Sequence, residues 1–311
     1  MPIVETKNLS KMFNGRKAVN NINLTIEEGE LFGLLGPNGA GKSTTVAMLS
    51  TILPPTEGTA IVGGYDIKKQ PKEVRQIIGV VTQEAGVYED LTAAENLAYF
   101  GKLQGVEGKK LRKWIDELLV MVQLKDRAND RVKTFSGGMK RRLNLAVGLV
   151  HMPKVLFLDE PTTGFDPQAR LAVWEIIKQF QSKGVTILLT THYMDEADYL
   201  CDRVAVMDNG KIIALDKPDV LKHSIGKLEA IELKAAKVPR KLMAELKKLR
   251  GVKKVSRSQE GLRLLTPSAD SVLSQVVRAV TDVGVPIDSL HIAKPTLEDV
   301  FIKLTGKTLR D

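Results

Sequence analysis

The sequence contains a single cysteine, few aromatic residues and no long apolar run. One cysteine among 311 residues, Cys201, excludes an internal disulfide and a cysteine-based metal cage, so we assign it to the buried core. No stretch reaches the roughly 18 consecutive apolar residues of a membrane-spanning helix. Residues 1–5 also lack the basic-then-apolar pattern that opens a signal peptide. We therefore expect a chain that stays in the cytosol.

Acidic residues are scarce in the last third of the chain. The net charge is +9, and residues 221–311 hold 18 Lys and Arg against 10 Asp and Glu. Such an excess can mark a surface that meets anionic lipid or nucleic acid, but it can also be a solvated face that keeps a protein soluble. Composition leaves both interpretations open.

Short apolar runs alternate with helical patterns from Ile3 to about Leu221, which is typical of an α/β domain. The strand-like runs are 31–35, 78–82, 155–158, 186–190 and 203–207. Between Val87 and Val150 these runs stop, and helical patterns at 93–102 and 111–122 replace them. The pattern predicts one domain over 1–221 with a helical subdomain at about 87–150.

A different order of elements follows in residues 225–311. Strand-like and helical segments succeed one another as βαββαβ, at 230–233, 239–249, 253–256, 262–266, 269–283 and 288–292. This order predicts a small α+β domain of the ferredoxin-like type. A last helix is expected with Thr296 as N-cap, Asp299 three residues later and Gly306 beyond its end.

The strongest motif directly follows the apolar run 31–35 and fits the GxxxxGK[ST] phosphate loop. Its residues are Gly36, Pro37, Asn38, Gly39, Ala40, Gly41, Lys42, Ser43 and Thr44. The glycines let backbone N–H groups turn toward phosphate oxygens, while Lys42 supplies a charge and Ser43 a hydroxyl for Mg²⁺. A helix starting near Lys42 would aim its positive dipole end at the same oxygens. The motif predicts binding of a nucleoside triphosphate.

Two carboxylates, Asp159 and Glu160, end the apolar run 155–158. Ligands bind at strand ends in sheets of this type. We expect Asp159 to hold Mg²⁺ opposite Ser43, and Glu160 to polarise the water that attacks the γ-phosphate.

A second candidate anion site lies in the segment Phe135–Met139, which we call the signature segment. Ser136 should cap the helical run 140–150, and Gly137 and Gly138 leave N–H groups bare at its start. The chain already has a phosphate loop for its own triphosphate. We therefore expect this second site to contact the triphosphate that another copy of the chain holds.

The ordered set of these motifs resembles the nucleotide-binding domain of ABC transporters over residues 1 to about 221. The set consists of Phe13, the phosphate loop, Gln83, the signature segment, Asp159, Glu160, Asp166 and His192. The resemblance implies an ATPase that uses ATP and Mg²⁺ and closes head to tail as a homodimer. The signature segment departs from the commonest pattern, since Phe135 and Met139 stand where Leu and Gln are usual.

The resemblance also implies a role for each remaining residue. Phe13 matches the aromatic residue that stacks on adenine. Gln83 matches the glutamine that approaches Mg²⁺ and the attacking water and senses the permease. Asp166 matches the loop that crosses between subunits, and His192 matches the switch near the γ-phosphate.

The segment 294–301, Lys-Pro-Thr-Leu-Glu-Asp-Val-Phe, is similar to the C-terminal signature of drug-exporting ATPases of the daunorubicin-resistance type. The permeases of these ATPases belong to the second ABC exporter class. The similarity implies a separate transmembrane permease and a peripheral position at the inner face of the cell membrane. It implies drug or antibiotic efflux and leaves the cargo open.

A soluble ABC ATPase acting on nucleic acid or ribosomes is the alternative. Chromosome-type members carry long heptad coils inside the domain, whereas only residues 37–135 separate Gly36 from Ser136 here. Ribosomal types generally carry two cassettes, and this chain has one. We therefore favour transport and do not expect nucleic acid as a partner.

Overall fold

The chain divides into two compact units, with the boundary between Pro218 and Asp219. The computed structural model describes residues 2–82, 86–224, 229–235, 238–258, 261–293 and 295–306. Each unit has its own cluster of buried apolar side chains. Within the described ranges, no helix combines the length and apolar character that crossing a bilayer requires.

The first unit alternates strands with helices. Its strands are β1 (Pro2–Phe13), β2 (Arg16–Ile22), β3 (Thr25–Glu27), β4 (Leu31–Leu35), β5 (Glu57–Val62), β6 (Tyr65–Asp66), β7 (Ile78–Val81), β8 (Val155–Asp159), β9 (Thr186–Thr191), β10 (Arg203–Asp208) and β11 (Lys211–Asp216). Its helices are α1 (Lys42–Leu49), α2 (Pro71–Ile77), α3 (Ala93–Leu103), α4 (Gly108–Met121), α5 (Gly137–Leu149), α6 (Pro167–Ser182) and α7 (Met194–Leu200). Each strand and helix predicted from the apolar pattern overlaps one of these elements.

The central sheet of this unit has the order β11, β10, β4, β9, β8, β7, and only β11 runs antiparallel to its neighbour. Every residue of β4 and β9 is buried, as expected for strands covered on both faces. Leu34 pairs with Thr190, which pairs in turn with Asp159. The carboxyl ends of β4, β9 and β8 therefore lie side by side, and the predicted α/β architecture is confirmed.

A second sheet, antiparallel, consists of β1, β2, β3, β5 and β6. The apolar pattern did not predict this sheet, because the pairings of β1 contain register shifts and Asn8 adopts a φ of 51°. Such irregularities break the alternation that marks a strand. Val4 and Leu9 of β1 are nevertheless fully buried in the same apolar core as Phe32 and Phe157 of the central sheet.

The segment between β7 and β8 is helical in its described residues and contains α3, α4 and α5. Helix α3 begins with a capping box in which Thr92 and Glu95 bond each other's backbone N–H groups. Helix α5 packs closely against β7, since a Cβ added at Gly79 would lie 2.0 Å from the carbonyl oxygen of Gly148. This close packing fixes α5 relative to the central sheet.

The second unit contains β12 (Glu229–Lys234), α9 (Arg240–Lys248), β13 (Lys254–Arg257), β14 (Gly261–Thr266), α10 (Ala269–Asp282), β15 (Ser289–Ala293) and α11 (Leu297–Thr305), and α8 (Pro218–Ser224) precedes them. Its sheet has the order β13, β14, β12, β15, and all three pairings are antiparallel. The predicted βαββαβ order and the ferredoxin-like fold are confirmed.

Helix α11 starts and ends as predicted. Thr296 and Asp299 form a capping box, and Gly306 ends the helix with a φ of 75°. Asp299 is also the buried partner of Arg263 on β14, whose Nε lies 3.0 Å from both carboxylate oxygens. Arg263 forms a further ion pair with Glu232. The same carboxylate thus caps α11 and holds it on the sheet.

Replacement of Asp299 by alanine should destabilise the second unit by about 3–5 kcal/mol, because Arg263 would lose its buried acidic partner. Hydrogen exchange of the backbone amides in β12 and β14 would measure this loss of stability. Asp282 at the exposed end of α10 offers a control. The substitution D282A should change the free energy of unfolding of the second unit by less than about 0.5 kcal/mol. Equal effects of the two substitutions would contradict the anchoring role.

Candidate nucleotide site

The phosphate loop connects β4 to α1 and requires glycine at two positions. A Cβ at Gly36 would lie 2.2 Å from the carbonyl oxygen of Met207. One at Gly41 would lie 2.4 Å from the carbonyl oxygen of Ala18, and Gly41 also adopts a φ of 104° at the N-cap of α1. Larger residues would push the loop off the strand ends that it lies against.

Lys42 is 4% exposed and folds back over this loop. Its Nζ donates hydrogen bonds to the carbonyl oxygens of Gly36, at 2.8 Å, and Pro37, at 3.0 Å. The same Nζ lies 3.4 Å from Oε1 of Glu160. Burial lowers the pKa of Lys42, and the carboxylates of Glu160 and Asp159 oppose that shift.

Asp159 ends β8 and joins the acidic strand to the phosphate loop. The Ser43 hydroxyl donates to Oδ1 of Asp159 at 3.0 Å, and the Thr190 hydroxyl donates to the same oxygen at 2.5 Å. A hydroxyl oxygen and a carboxylate oxygen are ligands that Mg²⁺ prefers, and Mg²⁺ usually takes only one or two such protein groups. The donor pair predicted from the sequence, Ser43 and Asp159, is therefore adjacent and chemically suited to this ion.

Glu160 follows β8 in a backbone conformation that is rare for a residue with a side chain. Its φ is 47°, in the left-handed region that costs a non-glycine residue about 1–3 kcal/mol. The Glu160 N–H compensates by donating to Thr190, at 3.2 Å to the carbonyl oxygen and 3.0 Å to the hydroxyl. The strained backbone points to a functional constraint at this position.

Three side chains surround the Glu160 carboxylate. The Thr163 hydroxyl donates to Oε2 at 2.9 Å, and Nδ1 of His192 lies 3.3 Å from the same oxygen, while Lys42 approaches Oε1. Burial raises the pKa of Glu160, but the Thr163 hydrogen bond and the contacts with Lys42 and His192 outweigh it and lower the pKa below its ordinary value. Glu160 is therefore ionised at neutral pH and available to accept a proton.

These contacts bring five of the residues predicted from the sequence into one cluster at the edge formed by β4, β9 and β8. The cluster consists of Lys42, Ser43, Asp159, Glu160 and His192. His192 follows the last residue of β9, and its ring lies against that of Tyr193 in a tilted arrangement, at a centroid distance of 4.1 Å. The arrangement combines a buried cation, a metal-suited oxygen pair and an ionised base.

Two other predicted residues, Phe13 and Asp166, lie on the surface of the first unit. Phe13, at the end of β1, is 45% exposed, and Nζ of Lys11 lies 5.3 Å from its ring centroid. Asp166 is exposed and accepts a hydrogen bond from the Ala169 N–H, so it is the N-cap of α6. Gln83 lies outside the described residues.

The signature segment begins α5, as predicted. Ser136 is the N-cap and accepts a hydrogen bond from the Met139 N–H at 3.3 Å. Ser136 and Gly137 are exposed, and a Cβ added at Gly137 or Gly138 would meet nothing within 4 Å. Packing within the described chain therefore does not require glycine at these two positions.

The sequence did not predict the buried polar side chains that hydrogen-bond the loop after β8 next to this cluster. Glu196 on α7 is 1% exposed, and its Oε1 accepts from the Thr162 hydroxyl at 2.7 Å and the Trp174 indole at 2.9 Å. Burial raises the pKa of Glu196, while hydrogen bonds from Thr191, Thr162 and Trp174 oppose this. Its carboxyl group ties the loop after β8 to the end of β9. An acidic residue on an amphipathic helix gives no signal of such burial in the sequence.

Arg141 on α5 was also missed. It is 6% exposed, and its Nε donates to the carbonyl oxygen of Pro161 at 3.0 Å. In sequence it is one of several basic residues after the signature segment, which favours a solvated helix face.

Two family models match the chain. The model described as ABC transporter matches residues 19–163, and the model of the C-terminal domain of ATP-binding proteins like DrrA1-3 matches residues 217–305. The first match contains the phosphate loop, the signature segment and the two acidic residues Asp159 and Glu160, and the second contains most of the described C-terminal unit.

Curated relatives match over nearly the full length. The linearmycin resistance ATP-binding protein LnrL of Bacillus subtilis is 38% identical, with 99% of this chain and 100% of LnrL covered. The daunorubicin/doxorubicin resistance ATP-binding protein DrrA of Streptomyces peucetius is 41% identical, with 99% and 94% covered. The Nod factor export ATP-binding protein I of Ralstonia nicotianae is 38% identical, with 100% and 96% covered.

Solved structures of ATP-binding cassettes share the fold of this chain. The ATP binding subunit of an ABC transporter has a TM-score of 0.66 at 28% identity, over 72% of this chain and 93% of the other. The dimeric cassette MJ0796, in a post-hydrolysis state with ADP and Pi, has a TM-score of 0.62 at 28% identity, over 69% and 98%. Since relatives above 30% identity cover nearly all of it, this chain belongs to the ABC transporter ATPases that carry a DrrA1-3-like C-terminal domain.

Proposed function

We propose that this chain is the ATP-hydrolysing subunit of an exporter, works as a homodimer and powers a separate membrane permease. The observation that carries the proposal is the cluster in which Glu160, ionised and held by Lys42, His192 and Thr163, lies beside the Ser43 and Asp159 pair. A base, a cation and metal-suited oxygens within one strand edge are what phosphoryl transfer to water requires.

ATP is the substrate and Mg²⁺ the metal that fit this donor set. Phosphate-loop N–H groups and the N-terminus of α1 would bind phosphate oxygens, and Lys42 would exchange its carbonyl partners for them. Ser43 and Asp159 would hold Mg²⁺, which neutralises phosphate charge when it is bound. The exposed ring of Phe13 is the proposed adenine-stacking group.

Glu160 is the proposed general base. Its Oε1 lies 3.4 Å from the ammonium group of Lys42. Once Lys42 turns toward phosphate, Glu160 is free to orient a water molecule and take its proton as the oxygen attacks the γ-phosphorus. His192, beside the same carboxylate, is the proposed γ-phosphate switch. Gln83 remains a proposed metal and water ligand on sequence grounds.

The homodimer is proposed from the surface residues. Ser136 and Gly137 are exposed at the N-terminus of α5, where N–H groups lack helical partners, and glycine at 137 and 138 has no packing reason within the described chain. A phosphate held by a second copy would explain both features. Asp166, exposed at the start of α6, is then the residue that would cross between the copies.

The permease and the cargo are proposed from the relatives. The three relatives described above are named for resistance to linearmycin, for resistance to daunorubicin and doxorubicin, and for Nod factor export. We propose efflux of a drug or antibiotic, with this chain peripheral at the inner face of the membrane through its permease. In this proposal residues 1–221 form the ATPase domain, with the helical part at about 87–150 facing the permease, and residues 225–311 form an accessory regulatory domain.

Glu160→Gln should keep ATP binding and lower turnover by ~10²–10⁴, because the amide cannot accept the proton from water. Phosphate release measures turnover, and size exclusion with ATP should reveal an accumulated closed dimer. Glu107, exposed before α4, provides a matched control, and E107Q should hydrolyse ATP normally. An E160Q protein that hydrolyses ATP at near wild-type rate would falsify the assignment of the base.

Lys42→Ala should instead weaken nucleotide binding itself, by about 10- to 100-fold, because the site loses its charged hydrogen-bond donor to phosphate. Titration with a fluorescent ATP analogue measures the affinity. K110A, on the exposed side of α4, is the control and should bind normally. Equal affinity of K42A and wild type would remove Lys42 from the phosphate site.

Gly138→Asp should separate stability from activity. An aspartate in the first turn of α5 suits the helix dipole, so the melting temperature should not fall. The same charge would oppose a γ-phosphate held by a second copy, at a cost of several kcal/mol, and ATPase activity and ATP-induced dimerisation should be lost. G138A is the uncharged control. Full activity of G138D would argue against a composite site.

A further inference from the structure

Arg141 is a buried arginine that the proposed ATPase chemistry does not use. Its guanidinium donates to backbone carbonyl groups through all three nitrogens. Burial lowers the pKa of Arg141, and the charges of Asp159 and Glu196 oppose that shift. An arginine stays protonated even so, so a permanent cation lies behind the catalytic strand edge.

Among the described residues, the backbone acceptors of Arg141 lie on two separate segments. Three are consecutive carbonyl groups of the loop after β8: Asp159 at 3.3 Å and Glu160 at 3.1 Å from Nη2, and Pro161 at 3.0 Å from Nε. The fourth is the carbonyl group of Thr82, which follows β7 and directly precedes Gln83 in sequence, and it accepts from Nη1.

Arg141 itself belongs to the helix that begins at the signature segment. It lies five residues after the N-cap Ser136 on α5. The tight contact between Gly148 and Gly79 holds the other end of α5 against β7. A tilt or shift of the start of α5 would therefore move the guanidinium relative to the loop after β8.

Glu160 is the residue that such a movement would affect most. Its left-handed backbone is strained, and a hydrogen bond to its own carbonyl group from Arg141 helps to hold it. The peptide groups on both sides of Glu160 are thus fixed by one side chain. A small rotation of these peptides would displace the carboxylate that has to align the attacking water.

We propose that Arg141 is a positioning residue that couples the signature helix and the strand end before Gln83 to the conformation of Glu160. Through it, each protomer senses at its own base whether its signature segment has engaged a nucleotide on a second copy. This inference rests on the proposed function. Lysine could not replace the arginine, because one ammonium group cannot span carbonyl groups on two segments as a planar guanidinium does.

The test compares Arg141→Lys with its neighbour Arg142→Lys. Arg142 is on the same helix, but its Nη1 donates to the carbonyl groups of Val122 and Gln123, away from the catalytic loop. R141K should lose about tenfold or more in kcat through misplacement of the base, and should lose the cooperativity of ATP hydrolysis. Its affinity for a fluorescent ATP analogue should stay within about twofold of wild type. R142K should keep both kcat and cooperativity.

A double-mutant cycle with E160Q tests whether Arg141 acts through the base. R141K should lower the residual rate of E160Q no further, because effects that pass through one group are not additive. A further drop by the same factor as in the single variant would overturn the proposal, as would a cooperative R141K with wild-type kcat. If E160Q itself hydrolyses ATP normally, the proposed function fails first, whereas an inactive E160Q beside a normal R141K defeats only this inference.

If R141K does not fold, a measurement on the protein with Arg141 intact still tests the proposal. Hydrogen exchange of the peptide 159–163 should slow when ATP is added to the wild-type protein, because closure through the signature segment would tighten the Arg141 contacts. G138D should show no such change, although it still binds ATP. Identical protection in both proteins would overturn the coupling.

Discussion

The contact between the Glu160 carboxylate and the Lys42 ammonium is the interaction around which the rest of the first unit is arranged. It joins the phosphate loop after β4 to the acidic loop after β8. Thr190 of the intervening strand β9 and His192, which directly follows that strand, contact Glu160 at the same point. Both charged side chains are largely removed from solvent. Away from solvent, two opposite charges stabilise each other only while they stay close and well aligned. The surrounding backbone therefore has to be rigid.

That rigidity comes from hydrogen bonds between the loop after β8 and the neighbouring elements. Arg141 holds its carbonyl groups, Thr190 holds the Glu160 N–H group, and Glu196 holds the hydroxyl of Thr162. Each supporting group belongs to a different element, namely α5, β9 and α7. The strand edge that carries Glu160 is therefore sensitive to movements of several elements at once, which is a useful property for an ATPase whose chemistry is linked to conformational change.

In the second unit, too, a buried pair of opposite charges fixes the position of an element. Its last helix is held by Asp299, which satisfies both the helix N-terminus and the buried guanidinium of Arg263. This accounts for the spacing of the motif 294–301 that resembles drug-exporting ATPases, because Thr296 and Asp299 must stand three residues apart to form the capping box. The described residues of the motif thus have a structural role in holding the unit together, whatever the unit contacts.

The sequence by itself determined the five parallel strands of the central sheet, the phosphate loop, the helix N-caps Ser136 and Thr296 and the βαββαβ order, because local periodicity, glycine and capping residues act over a few positions. Only the tertiary structure decided that Lys42 meets Glu160 across the sheet and that Arg141 and Glu196 are buried. It also decided the antiparallel sheet, whose strand β1 is irregular. Contacts between distant segments depend on strand order and packing, which no local pattern of residue types encodes.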